Sequence, residues 1–152
     1  MRKMISWIAA IGALVATSAW CADAPASIVV SATNNVVASG NDIRLEVVMT
    51  NNSDAPIWLS HPPGAELTKI SDFLVIGPDG KSLPQIPSSS SIRDLTLSEL
   101  NPGEEIHELS NISRGYNMEK PGIYKILVTI GVRQEQNIYN IDSNLLSVTV
   151  TR

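Results

Sequence analysis

From residue 27 onward the apolar residues of this 152-residue chain recur at every second position, in short runs cut off by turn residues. That period belongs to half-buried β-strands, and no stretch of ten residues carries a competing helical pattern. The strongest run covers 123–132: Tyr124, Ile126, Val128, Ile130 and Val132 share one face, while Ile123 and Leu127 partly apolarise the other. A strand apolar on both faces is expected at the centre of a sheet. The clearest early strand covers 43–51, with Ile43, Leu45, Val47 and Met49 towards a core and Arg44, Glu46, Val48 and Thr50 away from it. Asn51-Asn52-Ser53-Asp54 then turns the chain into a returning strand at 55–60, where Pro56 sits near the start and its missing N–H costs least.

Further strands are expected at 27–33, 72–76, 81–86, 92–97, 105–109 and 145–151, with at most a brief pairing at 36–39 and one or two helical turns at 65–70. Asn34-Asn35, Gly40-Asn41-Asp42, Gly77-Pro78-Asp79-Gly80 and Leu100-Asn101-Pro102-Gly103-Glu104 supply the turns. Seven or so strands on short connections, all antiparallel, predict a two-sheet β-sandwich.

Residues 1–21 read as a secretory signal peptide, so the mature domain is expected at 22–152, in the periplasm or secreted. Arg2 and Lys3 precede an apolar and small-residue run from Met4 to Ala19 that is too short to span a bilayer, and polar chain follows. No membrane insertion is expected after cleavage. Ala19 and Cys21 fit a small-x-small cleavage pattern, and the bulk of Trp20 argues against lipidation of Cys21. Cys21 is the only cysteine, so no intrachain disulfide is available. About 130 residues can bury roughly two-thirds of their unfolded surface without such staples. Trp7 and Trp20 leave with the leader, and the remaining aromatics, Trp58, Phe73, Tyr116, Tyr124 and Tyr139, are too few to build a core that is not aliphatic. Arg2 and Lys3 leave as well, so nine basic residues face 15 acidic ones and the net charge becomes −6. That balance, with no basic cluster, excludes nucleic acid and anionic lipid as expected partners.

Five segments carry a family resemblance: Leu45 to Ile57, Phe73-Leu74-Val75-Ile76-Gly77-Pro78-Asp79-Gly80, Leu100-Asn101-Pro102-Gly103-Glu104, Lys120-Pro121-Gly122-Ile123-Tyr124 and Ser143-Asn144-Leu145. In that order they resemble bacterial immunoglobulin-like domains, in particular the intracellular proteinase inhibitor family of bacilli and the non-catalytic amino-terminal domain of deuterolysin-type metallopeptidases. The resemblance spans residues 40–151 and implies an immunoglobulin-like sandwich, a tyrosine-corner role for Tyr124, and protease inhibition as one activity to test.

Catalytic patterns fail on the residues themselves. His107-Glu108-Leu109-Ser110-Asn111 opens like the H-E-x-x-H zinc motif, but Asn111 replaces the second histidine and the segment reads as a strand. His61 and His107 are the only histidines, and no G-x-S-x-G elbow or Gly-rich phosphate loop is present. Asn51, Asn52 and Asp54, or Asp79, offer calcium ligand types without the spaced pattern of a calcium loop and read as plain turns. No enzyme activity, metal or cofactor is expected.

The candidate partner-binding residues are Trp58, His61, Pro62, Pro63 and Gly64. Trp58 alternates with Ile57 and Leu59, and the stiff His61-Pro62-Pro63-Gly64 loop follows it directly. An exposed aromatic beside a pre-set backbone loses little entropy on binding. The plainer expectation is that Trp58 plugs the core and the prolines merely end a strand. Two functions stay open: a monomeric module that binds a protein partner through loops such as 61–65 or 88–94, and an envelope component that assembles through an edge strand.

Overall fold

The computed structural model describes residues 24–60, 71–86 and 99–152. The leader expected at 1–21, the helical turns expected at 65–70 and the strand expected at 92–97 lie outside the described residues. Among the described residues ten strands form: β1 (Ala26–Ala32), β2 (Val36–Ala38), β3 (Arg44–Asn51), β4 (Ile57–Ser60), β5 (Ser71–Ile76), β6 (Glu99–Leu100), β7 (Glu105–Asn111), β8 (Gly122–Gln134), β9 (Asn137–Asp142) and β10 (Leu146–Thr151). They build the two layers of an immunoglobulin-like β-sandwich. The smaller sheet runs β1-β3-β7; the larger runs β2-β10-β8-β4-β6, with β5 and β9 also on β8.

The long strand β8 organises the larger sheet. One of its edges takes β10 and then β9, the other takes β5 and then β4, so four partners share its length. Its inward residues Tyr124, Ile126, Val128, Ile130 and Val132 are all buried, as their alternation predicts. Facing them from the smaller sheet are Ile28, Val30, Leu45, Val47 and Met49. Each such aliphatic side chain contributes roughly 1.5–3 kcal/mol on burial, and Tyr116 and Tyr124 are the buried aromatics among them.

Tyr124 occupies the tyrosine-corner position that the resemblance implies: its hydroxyl donates to the Lys120 carbonyl at 2.7 Å, and burial pushes its pKa up. Asn144 closes the side of the sandwich. Its amide accepts from the Val30 N–H at 2.8 Å and donates to the Val30 carbonyl at 3.1 Å, so one side chain pairs with the outer edge of β1 as a strand would.

Three expectations need correction. The ladders are not all antiparallel, because β2 pairs with β10 in parallel. Short turns fix direction only between consecutive strands, and after Asn34-Asn35 the chain leaves the smaller sheet for the edge of the larger one. Residues 81–86 make only two isolated bridges, Ile76 to Ser82 and Gln85 to Tyr116. Gly77 N–H bonds the Lys81 carbonyl and Leu83 N–H the Val75 carbonyl, after which Pro84 offers no donor to extend the ladder. Finally, β9 forms where no strand was expected.

The β8–β9 hairpin turns on Glu135 and Gln136, and Glu135 holds φ 54°, the one positive φ among the described non-glycine residues. Glycine is usual there because a Cβ in the left-handed region costs about 1–2 kcal/mol. Glu135→Gly is therefore expected to raise the unfolding free energy by about 0.5–1 kcal/mol after the extra chain entropy of glycine is deducted. Urea denaturation checks this, and a loss of stability would show that the Glu135 side chain compensates its own backbone.

Candidate functional site

Strand alternation at β4 sends Ile57 and Leu59 into the core, at 0% and 6% exposure, and leaves Trp58 half-buried on the outer face of the larger sheet. Trp58 does not plug the core, so that half of the plainer expectation is corrected, while the prolines of its other half lie outside the described residues. Of the other candidate residues, His61, Pro62, Pro63 and Gly64 lie outside the described residues, as does the whole 88–94 loop.

The register assembles neighbours for Trp58 that are remote in sequence. Trp58 stands opposite Glu99 of β6 on one side and Arg133 of β8 on the other, and Arg133 stands opposite Ile138 of β9. The result is an outward row, Glu99, Trp58, Arg133, Ile138, across four strands. The guanidinium carbon of Arg133 lies over the indole, 5.6 Å from its centroid, within cation–π range. Ile138 is 53% exposed at the end of the row. Alternation alone puts Trp58 on the outer face, but no local signal ties it to Arg133 or Ile138, which only the sheet register brings alongside.

Behind this row lies a polar strut. Asn51 is buried; its amide donates to the carbonyls of Ala55 and Leu100, both at 2.9 Å, and accepts from Ser53 N–H and Oγ at 2.9 and 2.7 Å. Gln134 Nε2 donates to Ser53 Oγ at 2.9 Å, joining the end of β8 to the same turn. These bonds consume the polar groups of Asn51, which serves a plain turn, as its sequence context predicts.

The outer face of the smaller sheet carries a second charged group. His107 Nδ1 lies 3.0 Å from Glu46 Oε1 and Nε2 lies 3.7 Å from Glu105 Oε2. The Glu46 hydrogen bond, against a smaller opposing effect of burial and helped by both carboxylate charges, raises the His107 pKa above the ordinary 6.5. The fold therefore favours the imidazolium. Its stabilising effect is fully present below the unfolded-state pKa and is lost as pH rises through the folded one. An NMR titration is expected to place the His107 midpoint above that ordinary value, and Glu46→Gln to bring it back down. A midpoint unmoved by Glu46→Gln would show that the ion pair does not form in solution.

His107 and Glu108 point to opposite faces of β7, His107 outward and Glu108 inward, so they cannot act as neighbours on a zinc-binding helix would. Among the described residues no group of three or more His, Cys, Asp or Glu side chains is arranged to hold a metal ion. At one end of the sandwich a cleft of about 270 Å³ is rimmed by Asp42, Arg114, Asn117 and Glu119 above Ile43 and Met118. The Asn111 hydrogen bond, aided by Arg114 and Arg44 against the effect of burial, holds Asp42 below the ordinary carboxylate range. The cleft brings opposite charges together, and Ser113, which also lines it, donates to Asn111 Oδ1 at 2.7 Å and accepts from the Ile43 N–H at 3.2 Å.

No family model matches the chain, and no curated protein sequence matches it. Among solved structures it is similar to the CARDB domain of the PF1109 protein from Pyrococcus furiosus, solved in complex with di-metal ions. The identity is 14%, the match covers 83% of this chain and 87% of that one, and the TM-score is 0.45. The narrower resemblance to bacillar proteinase inhibitors and the deuterolysin domain gains no support from these comparisons. The immunoglobulin-like fold stands on the strand ladders.

Proposed function

We propose that this chain is an exported, non-catalytic module that binds a protein partner as a monomer in the periplasm or outside the cell, with protease inhibition one version of that binding. One observation carries the reading: the Trp58–Arg133 cation–π pair, an aromatic and an arginine brought together on an outer sheet face. Trp and Arg are the residue types that most often dominate binding energy at protein interfaces. Assembly through an edge strand is disfavoured at four of the described edges, each of which carries a protective feature. Glu108 points inward from β7, Asn144 occupies the edge of β1, and β2 and β6 are three and two residues long.

An affinity pull-down from the native envelope tests the reading, using the mature chain, Trp58→Ala, and a variant with residues 61–64 replaced by glycine and serine. Wild type is expected to retain a defined protein that Trp58→Ala releases, and that protein is then assayed for peptidase activity with and without the module. Concentration-dependent fibres of the purified chain, or a hydrolase activity lost on His61→Ala or His107→Ala, would sink the proposal. Mass spectrometry of the mature amino terminus is expected to find cleavage near Cys21 without a lipid.

A further inference from the structure

We infer that the Trp58–Arg133 row recognises a carboxylate flanked by apolar side chains on its partner, the guanidinium taking the carboxylate while Trp58 and Ile138 cover its apolar neighbours. This rests on the reading of the chain as a protein-binding module and names the chemistry of what it binds. The geometry of Arg133 is the first ground. Its guanidinium carbon lies over the indole, 5.6 Å from the centroid, a contact with the ring that leaves the N–H donors of the fork able to bond a carboxylate in bidentate fashion. Among the described residues its guanidinium makes no ion pair or side-chain hydrogen bond, whereas Arg44, the arginine on the outer face of the smaller sheet, is paired with Asp42 at 3.6 Å. The contact with the indole also restricts the Arg133 side chain beforehand, so less entropy is lost when a carboxylate is captured.

Charge is the second ground. The whole chain carries −4 and is expected to carry −6 once the leader leaves, so an acidic ligand is repelled by most of the surface. The carboxylate in the row, Glu99, lies on the far side of Trp58 from Arg133. Asp72 and Asp142 flank Thr129, two outward positions away along β8, and Thr129 Oγ1 already donates to Asp142 at 2.6 Å. Lys125 lies further along the same face. Arg133 is thus a local positive point bordered by Trp58 on one side and by exposed Ile138 on the other. A carboxylate alone would find only the charge; a carboxylate with an apolar neighbour also buries surface against the row.

The test is selection of a random-peptide phage library on the mature chain. Enriched sequences are expected to place Asp or Glu beside Leu, Ile, Val or Phe. Binding of a synthesised hit is read by the fluorescence of Trp58, the only tryptophan left once Trp7 and Trp20 are removed. Arg133→Gln, with its fold checked by circular dichroism, is expected to weaken the hit roughly tenfold to hundredfold, the range of one charge-assisted hydrogen-bonded pair. Changing the acid of the peptide to its amide should cost the same factor, and the two changes together little more than either alone. Arg133→Lys should keep part of the affinity, since it retains charge without the fork. Peptides that enrich without a carboxylate, or that bind Arg133→Gln as tightly as wild type, overturn the inference and leave the binding module standing. A library that yields no binder to the folded chain overturns the module reading itself.

Discussion

Asn51→Ala is expected to lower the unfolding free energy by about 2–4 kcal/mol, because it leaves buried acceptors without their donor. The Asn51 side chain is 1% exposed and its amide is shared between the Ala55 and Leu100 carbonyls. Alanine fills less space and donates to neither. The Ser53 hydroxyl, released from Asn51 Oδ1, turns its one proton to the Ala55 carbonyl 2.8 Å away, so the heavier loss falls on Leu100, whose bond from Asn51 is buried. Urea denaturation measures the loss, and a value below about 1 kcal/mol would show that water or a backbone shift replaces the strut. Asn51→Asp sharpens the test. It retains the acceptor for Ser53 but turns charge towards two carbonyls, so it should be worse than alanine at neutral pH. Burial raises the pKa of such a carboxyl, so stability should recover as pH falls and the group takes a proton. The strut also has a functional side. Leu100 follows Glu99 in β6, and Ala55 precedes β4, so loosening both should blur the placement of Trp58. Asn51→Ala is therefore expected to shift the Trp58 emission towards that of solvent-exposed indole and to weaken partner binding along with stability.

Which parts of this molecule could be read from its residues follows from how local each determinant is. The inward faces of β3, β8 and β10 were legible because period-two alternation is written in adjacent residues and burial follows from it. β9 was not. Its inward positions hold only Tyr139 and Ile141, its outward Ile138 is exposed, and its hairpin uses Glu135 where a glycine or asparagine would have signalled a turn. The parallel pairing of β2 with β10 was hidden for another reason: it joins the first third of the chain to its last residues, and nothing in a three-residue strand names its partner. The site divides the same way. The facing of Trp58 is a local property, but its neighbours Glu99, Arg133 and Ile138 are properties of register across four strands. Asn51 was readable as a turn residue and not as a strut, because the Leu100 carbonyl that makes it one is supplied from across the sheet.

Gly122→Ala is expected to cost about 2–6 kcal/mol, and for a reason that joins two of the turn motifs. Gly122 opens β8 at φ 145°, a region that L side chains rarely adopt, at a cost of roughly 1–3 kcal/mol. A Cβ added there would lie 2.5 Å from Pro78 Cβ and 2.6 Å from Pro78 Cγ, far inside contact distance. Neither side can give way easily. Pro78 sits in a turn closed by Gly80 N–H on the Gly77 carbonyl at 3.0 Å and by Gly77 N–H on the Lys81 carbonyl at 2.8 Å. Gly122 is held by its pairing with Val150, and Tyr124 ties the preceding Lys120 carbonyl. Overpacking of this kind adds about 1–3 kcal/mol to the backbone strain. The two contributions separate experimentally. Pro78→Gly removes the atoms that clash but not the φ requirement, so Gly122→Ala should be milder in that background, and the difference measures the overlap. Equal losses in both backgrounds would assign the whole effect to the backbone. Gly122 lies at the opposite end of β8 from Arg133, so Gly122→Ala should reduce the folded fraction without changing the peptide affinity of the molecules that remain folded. Asn51→Ala should change both, and the contrast distinguishes residues that hold the sandwich together from those that also place its binding row.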